Sequence, residues 1–341
     1  MLAPRPFTAC PVTPSPLISV ALCTWNGAGH LREQLDSILG QRGVTLELVA
    51  LDDASTDGSV AILEEYASRD PRVQVHRNTE NLGHLRSFEA CMRLCRGEFI
   101  APADQDDIWD PDKLRILLDA IGDADLAYCD SEYIDSDGRL IGRKVSDDLT
   151  MHQGRDPVRY LFQNTVSGHA ALLRPAVLAD ALPFPAQLYH DWWLAIRAAA
   201  GHGVVYVDRP LVKFRRHGGA ASALGKTKPE ADTRTREERK RDRLATGKNR
   251  KWIEERAYVA KRYGETTWLG HERGTAWHRV FTQSLAGNRR ELWDTIWHDR
   301  HSVPPWSGHG TWNAIRFWFR CRRKLQRAAQ EPVPTTPIFR A

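Results

Sequence analysis

Asp104, Asp106, Asp107 and Asp110 fall within one short stretch, Ala103-Asp104-Gln105-Asp106-Asp107-Ile108-Trp109-Asp110. Four acids so close repel one another without a counter-charge. An Asp-x-Asp pair such as Asp104 and Asp106 suits a hard divalent cation that also holds a diphosphate. Asp110 stands directly before Pro111 and reads instead as a helix N-cap. A second acid pair, Asp52 and Asp53, can cap a following helix or accept hydrogen bonds from a base N–H and ribose hydroxyls. Trp25 can stack on a nucleobase or pack in a core. Asp191, in His190-Asp191-Trp192-Trp193, suits a proton acceptor as well as a helix N-cap.

These groups need strands to carry them. Leu17–Leu22 is a short apolar run that reads as a buried strand, and Leu46–Leu51, Arg72–His76, Glu98–Ala101 and Leu126–Cys129 read as further strands. Between them, Leu31, Leu35 and Ile38, then Val60, Leu63 and Tyr66, then the stretch from Leu85 to Cys95, recur at helical spacing. Alternating strands and helices with short connections predict a three-layer α/β fold with a mostly parallel sheet. Such sheets bind ligands beyond the carboxyl ends of their strands. Thr24-Trp25-Asn26, Asp52-Asp53 and Asp104–Asp107 all sit at those ends, so one crevice gathers them. No GxGxxG or P-loop lysine follows the first strand, so neither a Rossmann dinucleotide enzyme nor a P-loop NTPase is supported.

The ordered strings ISVALCTWNG, VALDDASTDGS, NLG and GEFIAPADQDDIW, with the later HDWW, resemble the family 2 glycosyltransferases of the GT-A fold. Among these, DQDDIW and HDWW are most similar to the bacterial rhamnosyltransferase-like branch. The resemblance covers about residues 17–222. It implies an inverting transfer of a sugar from a UDP- or dTDP-linked donor, dTDP-rhamnose being one candidate, to a glycan or lipid-linked acceptor in cell-surface polysaccharide synthesis. It also implies Mg²⁺ or Mn²⁺ as cofactor. By this match Cys23, Thr24, Trp25, Asn26, Asp52 and Asp53 border the base, Asp104 lies near the ribose, and Asp106 holds the metal. Asp107 is an extra acid beside them. Trp25 stands where Tyr is common, a change that preserves stacking. Asp191 matches the carboxylate that takes the acceptor proton. Gly168 and His169 match a glycine turn at the acceptor pocket, and Trp192 or Trp193 offers a platform for sugar rings or packs in the core. In Lys213–Gly219, Arg215 and Arg216 would face the diphosphate and His217 would complete the metal shell, or the segment is a basic surface turn.

The rest of the chain bounds these readings. It has 341 residues, 27% charged and 42% hydrophobic, an ordinary globular balance. Residues 222–341 carry 26 Lys and Arg against 13 Asp and Glu, a net of +13, whereas residues 1–221 carry a net of −8. Eight of the 12 tryptophans lie in the basic part. The domain reading is a Pro-broken arm at 1–16, a GT-A domain at 17–222, a charged linker or helix at 223–251, a basic Trp-rich helical module at 252–330, and a tail at 331–341. The six cysteines show no CxxC pair, which favours a reduced cytoplasmic compartment. No apolar run is long enough to span a bilayer. Thr311–Arg327 sets arginines against aromatic residues and suits either an anionic membrane surface or a docked helix. A nucleic-acid-binding factor using the basic module is the rival function. The acid set would repel nucleic acid from the front of the molecule, and no binding motif supports that rival.

Overall fold

The computed structural model describes residues 15–216, 247–265, 271–285, 290–303 and 311–331. Its central strand shows why the apolar runs are continuous. In β1 (Leu17–Thr24), Ile18, Val20 and Leu22 are fully buried on one face, and Ala21 joins a separate core on the other. A strand covered on both faces has no polar side to alternate with. The chain continues through α1 (Leu31–Leu39), β2 (Thr45–Asp52), α2 (Ser59–Arg69), β3 (Val73–Arg77), α3 (His84–Leu94), β4 (Phe99–Ala103), β5 (Ile108–Trp109), α4 (Lys113–Ile121) and β6 (Leu126–Ile134). Next come β7 (Leu140–Lys144), α5 (Val145–Asp148), α6 (Val158–Phe162), a 3-10 turn at Gly168–Ala170, β8 (Ala171–Leu173), α7 (Ala176–Ala181), α8 (His190–Ala200) and β9 (Val204–Arg215).

The strands form one nine-stranded sheet in the order β3-β2-β1-β4-β8-β6-β9-β5, with β7 beside β6. The first four strands are parallel, as the alternation predicts. Beyond β4 the sheet is mixed: β8 runs antiparallel to both β4 and β6, while β9 is parallel to β6 and antiparallel to β5. Apolar periodicity reports burial and not direction, so the reversal at the three-residue β8 leaves no trace in the sequence. Helices cover both faces, α1, α2 and α4 on one and α3, α6 and α8 on the other.

Four further helices follow: α9 (Lys248–Gly264), α10 (His271–Leu285), α11 (Arg290–His298) and α12 (Thr311–Ala328). Helix α9 begins within the stretch read as a charged linker, most of which lies outside the described residues. Arg256 on α9 fastens this region to the sheet domain. Its guanidinium donates to the Phe162 carbonyl, 3.0 Å from Nη2, and lies 5.3 Å from the Trp192 ring and 4.7 Å from Trp252. Trp277 is fully buried, packs edge-on against Phe162 at 4.8 Å, and donates its indole N–H to Asp299 at 2.6 Å. The described residues between 252 and 300, whose role the sequence leaves illegible, thus extend the core on the side of α3, α6 and α8.

Candidate active site

The ends of β1 and β4 are stapled by the residue between the two acids of the Asp-x-Asp pair. Thr24 Oγ1 and the Trp25 amide both donate to Gln105 Oε1 at 2.7 Å, and Gln105 Nε2 donates to the Trp25 carbonyl at 3.2 Å. A Cβ on Gly27 would lie 2.3 Å from Gln105 Oε1, so only glycine admits this approach. Asn26 takes a left-handed conformation (φ 50°), and its Oδ1 accepts from the Thr56 amide at 2.9 Å. It shapes the turn that presents Trp25, whose side chain stands 54% exposed at the crevice edge. Cys23 is half-buried, and burial beside Cys91 pushes its thiol well up, so it is an uncharged wall.

Both acids at the end of β2 bond to the protein itself, Asp53 through both oxygens and Asp52 through one, its buried Oδ1 having no hydrogen-bond partner. Asp52 is fully buried and accepts from the Ser55 amide at 2.9 Å. Asp53 is also buried, and its carboxylate accepts from Asn78 Nδ2 at 2.8 Å and from the amides of Leu82 and Gly83 at 2.9 Å each. Both carboxylates are thus already engaged by the loops around them. Their effect is to fix the loop from Asn78 to Gly83 and, through it, the start of α3.

The end of β4 is different. One oxygen from Asp104, one from Asp107 and a ring nitrogen of His169 lie within 4.8 Å of one another. His169 Nδ1 is 3.4 Å from Asp104 and 3.3 Å from Asp107. Burial opposes charge on Asp104, yet hydrogen bonds from His169 and His84 hold its carboxyl well below the usual range. Burial pushes Asp107 up to about 7, with the neighbouring acids adding to the rise, and its Oδ2 is a buried atom without a hydrogen-bond partner. An orphaned oxygen beside a carboxylate and an imidazole fits a hard divalent cation. Asp106, the expected metal ligand, is half-buried and outside this trio; its backbone carbonyl accepts from Arg215 Nε at 2.8 Å.

His169 is held from behind. Its carbonyl accepts from Lys113 Nζ at 2.5 Å, and its Nε2 lies 3.2 Å from Ser131 Oγ. Lys113 is completely buried over the Trp109 ring at 3.1 Å, and burial lowers its ammonium to about 7 against the pull of the acids.

Asp191 lies in the first turn of α8. It accepts from its neighbour's amide, Trp192 N, at 2.6 Å, from Asn164 Nδ2 at 3.1 Å and from the Gly168 amide at 3.2 Å. Burial raises it to about 6, partly offset by the nearby His84. His84, at the start of α3, lies 3.7 Å from Asp104 and also stacks towards His190 at 5.2 Å between ring centres. It therefore sits electrostatically between the β4 acids and Asp191. His190 is buried against Phe88 with both ring nitrogens unpartnered, and burial drives it down to about 3, a neutral ring under the site.

Other expected residues take structural parts. Arg215 is buried and donates to the carbonyls of Asp106 and Ser136 and to Glu33, while its amide donates to Asp107 at 3.0 Å. Its guanidinium locks β9 to the acidic loop and is closed to a diphosphate. Arg216 is half-buried, 5.4 Å from the Phe214 ring and 5.8 Å from Tyr133. His217 lies outside the described residues. Trp192 and Trp193 are buried and donate their indole N–H groups to the carbonyls of Tyr160 and Ala181, so they are core and not sugar platforms. Gly168 is buried and contributes its amide to Asp191. Sequence reasoning missed His84, Gln105 and Lys113. Only Gln105, inside the acid string, carried a signal that could have drawn attention to it.

Residues 19–181 match the sequence profile of the family described as Glycosyl transferase family 2. EpsH of Bacillus subtilis, which bears a glycosyltransferase name, is 31% identical over 219 residues, covering 60% of this chain and 62% of EpsH. TuaG of the same species, named for teichuronic acid biosynthesis, is 30% identical over 118 residues, 35% of this chain and 47% of TuaG. The chain thus spans less than two thirds of either relative. Among solved structures, S. aureus TarS (residues 1–349) in complex with UDP-GlcNAc aligns with a TM-score of 0.57 at 16% identity, over 92% of this chain and 89% of that one. The mannosyltransferase PcManGT of Pyrobaculum calidifontis, in complex with GDP-Man and Mn²⁺, aligns with a TM-score of 0.51 at 17% identity, over 95% and 90%. The fold is the GT-A α/β fold with a mixed sheet and a helical C-terminal region.

Proposed function

We propose, from the match of residues 19–181 to glycosyl transferase family 2, that this chain moves a hexose from a UDP- or dTDP-linked donor to a glycan or lipid-linked acceptor with inversion at the anomeric carbon. The observation that carries this reading is the trio Asp104, Asp107 and His169 at a strand end, joined through His84 to a second carboxylate, Asp191. Asp104, Asp107 and His169 would hold Mg²⁺ or Mn²⁺, which when bound neutralises the donor diphosphate and its growing leaving-group charge. Trp25 stacks on the base. Asp191, held by Asn164 and Gly168, takes the proton of the acceptor hydroxyl as that oxygen attacks. A carboxyl near 6 is ionised at neutral pH yet basic enough to accept that proton. The name of TuaG, for teichuronic acid biosynthesis, supports surface-polysaccharide synthesis as the setting; a rhamnosyl donor is one member of the dTDP class. The catalytic unit is residues 17–222, with residues 252–330 as its helical support. We further place the protein peripherally on the cytoplasmic face of a membrane; no described helix is long and apolar enough to cross one.

Calorimetric titration with a panel of UDP- and dTDP-sugars, with and without Mn²⁺, tests the reading. The expected result is metal-dependent binding of one donor class that His169→Ala abolishes. Absence of binding to every nucleotide sugar in the presence of Mn²⁺ would refute it.

A further inference from the structure

Helix α12 buries one stripe, Asn313, Ala314, Phe317, Cys321, Leu325 and Ala328, against the other helices. Its two outward rings stay uncovered: Trp312 is 72% and Phe319 50% exposed. At the helical advance of about 100° per residue, Trp312, Arg316, Phe319, Arg320, Arg323 and Arg327 share an arc of roughly 100° opposite the buried stripe. All four of these arginines are exposed. No acid occurs from Thr311 to Ala328. The aromatic surface continues onto α11, where Trp293 meets Trp318 edge-on at 5.7 Å and stacks on the partly exposed Trp297 at 5.6 Å. Arg322 lies 5.3 Å from the Trp318 ring and Arg300 lies 5.3 Å from Trp297. The arginines therefore interleave with Trp312 and Phe319 on one outward face, which corrects the reading that sets them against the aromatic residues.

We infer that this face of α12, flanked by Trp297, seats on an anionic lipid surface. The argument is complementarity: a headgroup layer presents phosphates to the arginines and an acyl boundary to the rings in a single plane. The inference gives a contact surface to the peripheral placement proposed above and does not depend on the transferase reading. The test is co-sedimentation of the full chain with phosphatidylcholine vesicles, with and without phosphatidylglycerol. The variants are Trp312→Ala/Phe319→Ala and Arg323→Glu/Arg327→Glu, each checked for unchanged circular dichroism and unfolding temperature. Wild type should bind only the anionic vesicles, less at high salt, and each double variant should bind them at least about tenfold more weakly. Equal binding by wild type and both variants would overturn the inference. So would wild type that ignores anionic vesicles but binds a single-stranded RNA oligomer. Donor titration on the same samples separates the two proposals, because it reads the crevice and not α12.

Discussion

The ends of β2 and β4 each carry acids at the carboxyl edge of one parallel sheet, and they do opposite things. At β2, Asp53 meets three donors from one loop, two of them backbone amides, and is consumed in shaping the chain. At β4, Asp104 and Asp107 meet imidazoles, Asp107 accepts one backbone amide from Arg215 besides, and its other, buried oxygen has no hydrogen-bond partner. An acid at a strand end is therefore not a site by position alone. A carboxylate saturated by amides is a structural anchor. One facing titratable rings, with a lone pair unspent, keeps capacity for an ion.

The contrast can be broken most directly from the catalytic side. Asp191→Asn retains the shape of the side chain but accepts no proton, so turnover should fall by about 10²–10⁴-fold with donor affinity unchanged in calorimetry. Near-normal turnover would move the base elsewhere. Next, Asp104→Asn or His169→Ala should weaken Mn²⁺ binding by more than the roughly 10–100-fold that partners of metal ligands usually carry. Asp106→Asn should cost far less, since Asp106 lies outside the trio. Equal losses for Asp104 and Asp106 would restore the ligand assignment read from the sequence.

Acidity should produce a smaller, graded loss. Asp191 titrates near 6 in the fold, and its protonated form cannot act as a base. The rate should hold above that pH and drop by about tenfold for each unit below it. A rate that is flat down to pH near 4, the ordinary carboxylate range, would mean that Asp191 is not raised or not the base. The mildest effect belongs to the β2 end. Asp53→Ala leaves Asn78, Leu82 and Gly83 without their acceptor and should lower stability by about 1–3 kcal/mol in urea unfolding, with Mn²⁺ affinity retained. Loss of metal binding in Asp53→Ala without loss of stability would erase the distinction between the two strand ends.

The sequence by itself determined the elements and their acids. The runs at Leu17–Leu22, Leu46–Leu51 and Glu98–Ala101 became β1, β2 and β4 because doubly covered strands must be apolar throughout, and the polar clusters after them fall at the sheet edge for the same reason. Helix α8 with Asp191 in its first turn was likewise legible from the spacing after the Pro183–Pro185 loop. What tertiary structure alone decided was which of these groups meet. Asp107 and not Asp106 joins Asp104, because β9 pairs with β5 and the Arg215 amide and guanidinium fix the acidic loop between them. His169 reaches the acids from a turn more than 60 residues on, and His84 from the start of α3; one-dimensional spacing holds no record of either approach. Arg215, Trp192 and Trp193 have the chemistry of ligand contacts, yet burial gave them to carbonyls of the protein. Residue type sets what a side chain can do, and the partners brought to it by packing set what it does.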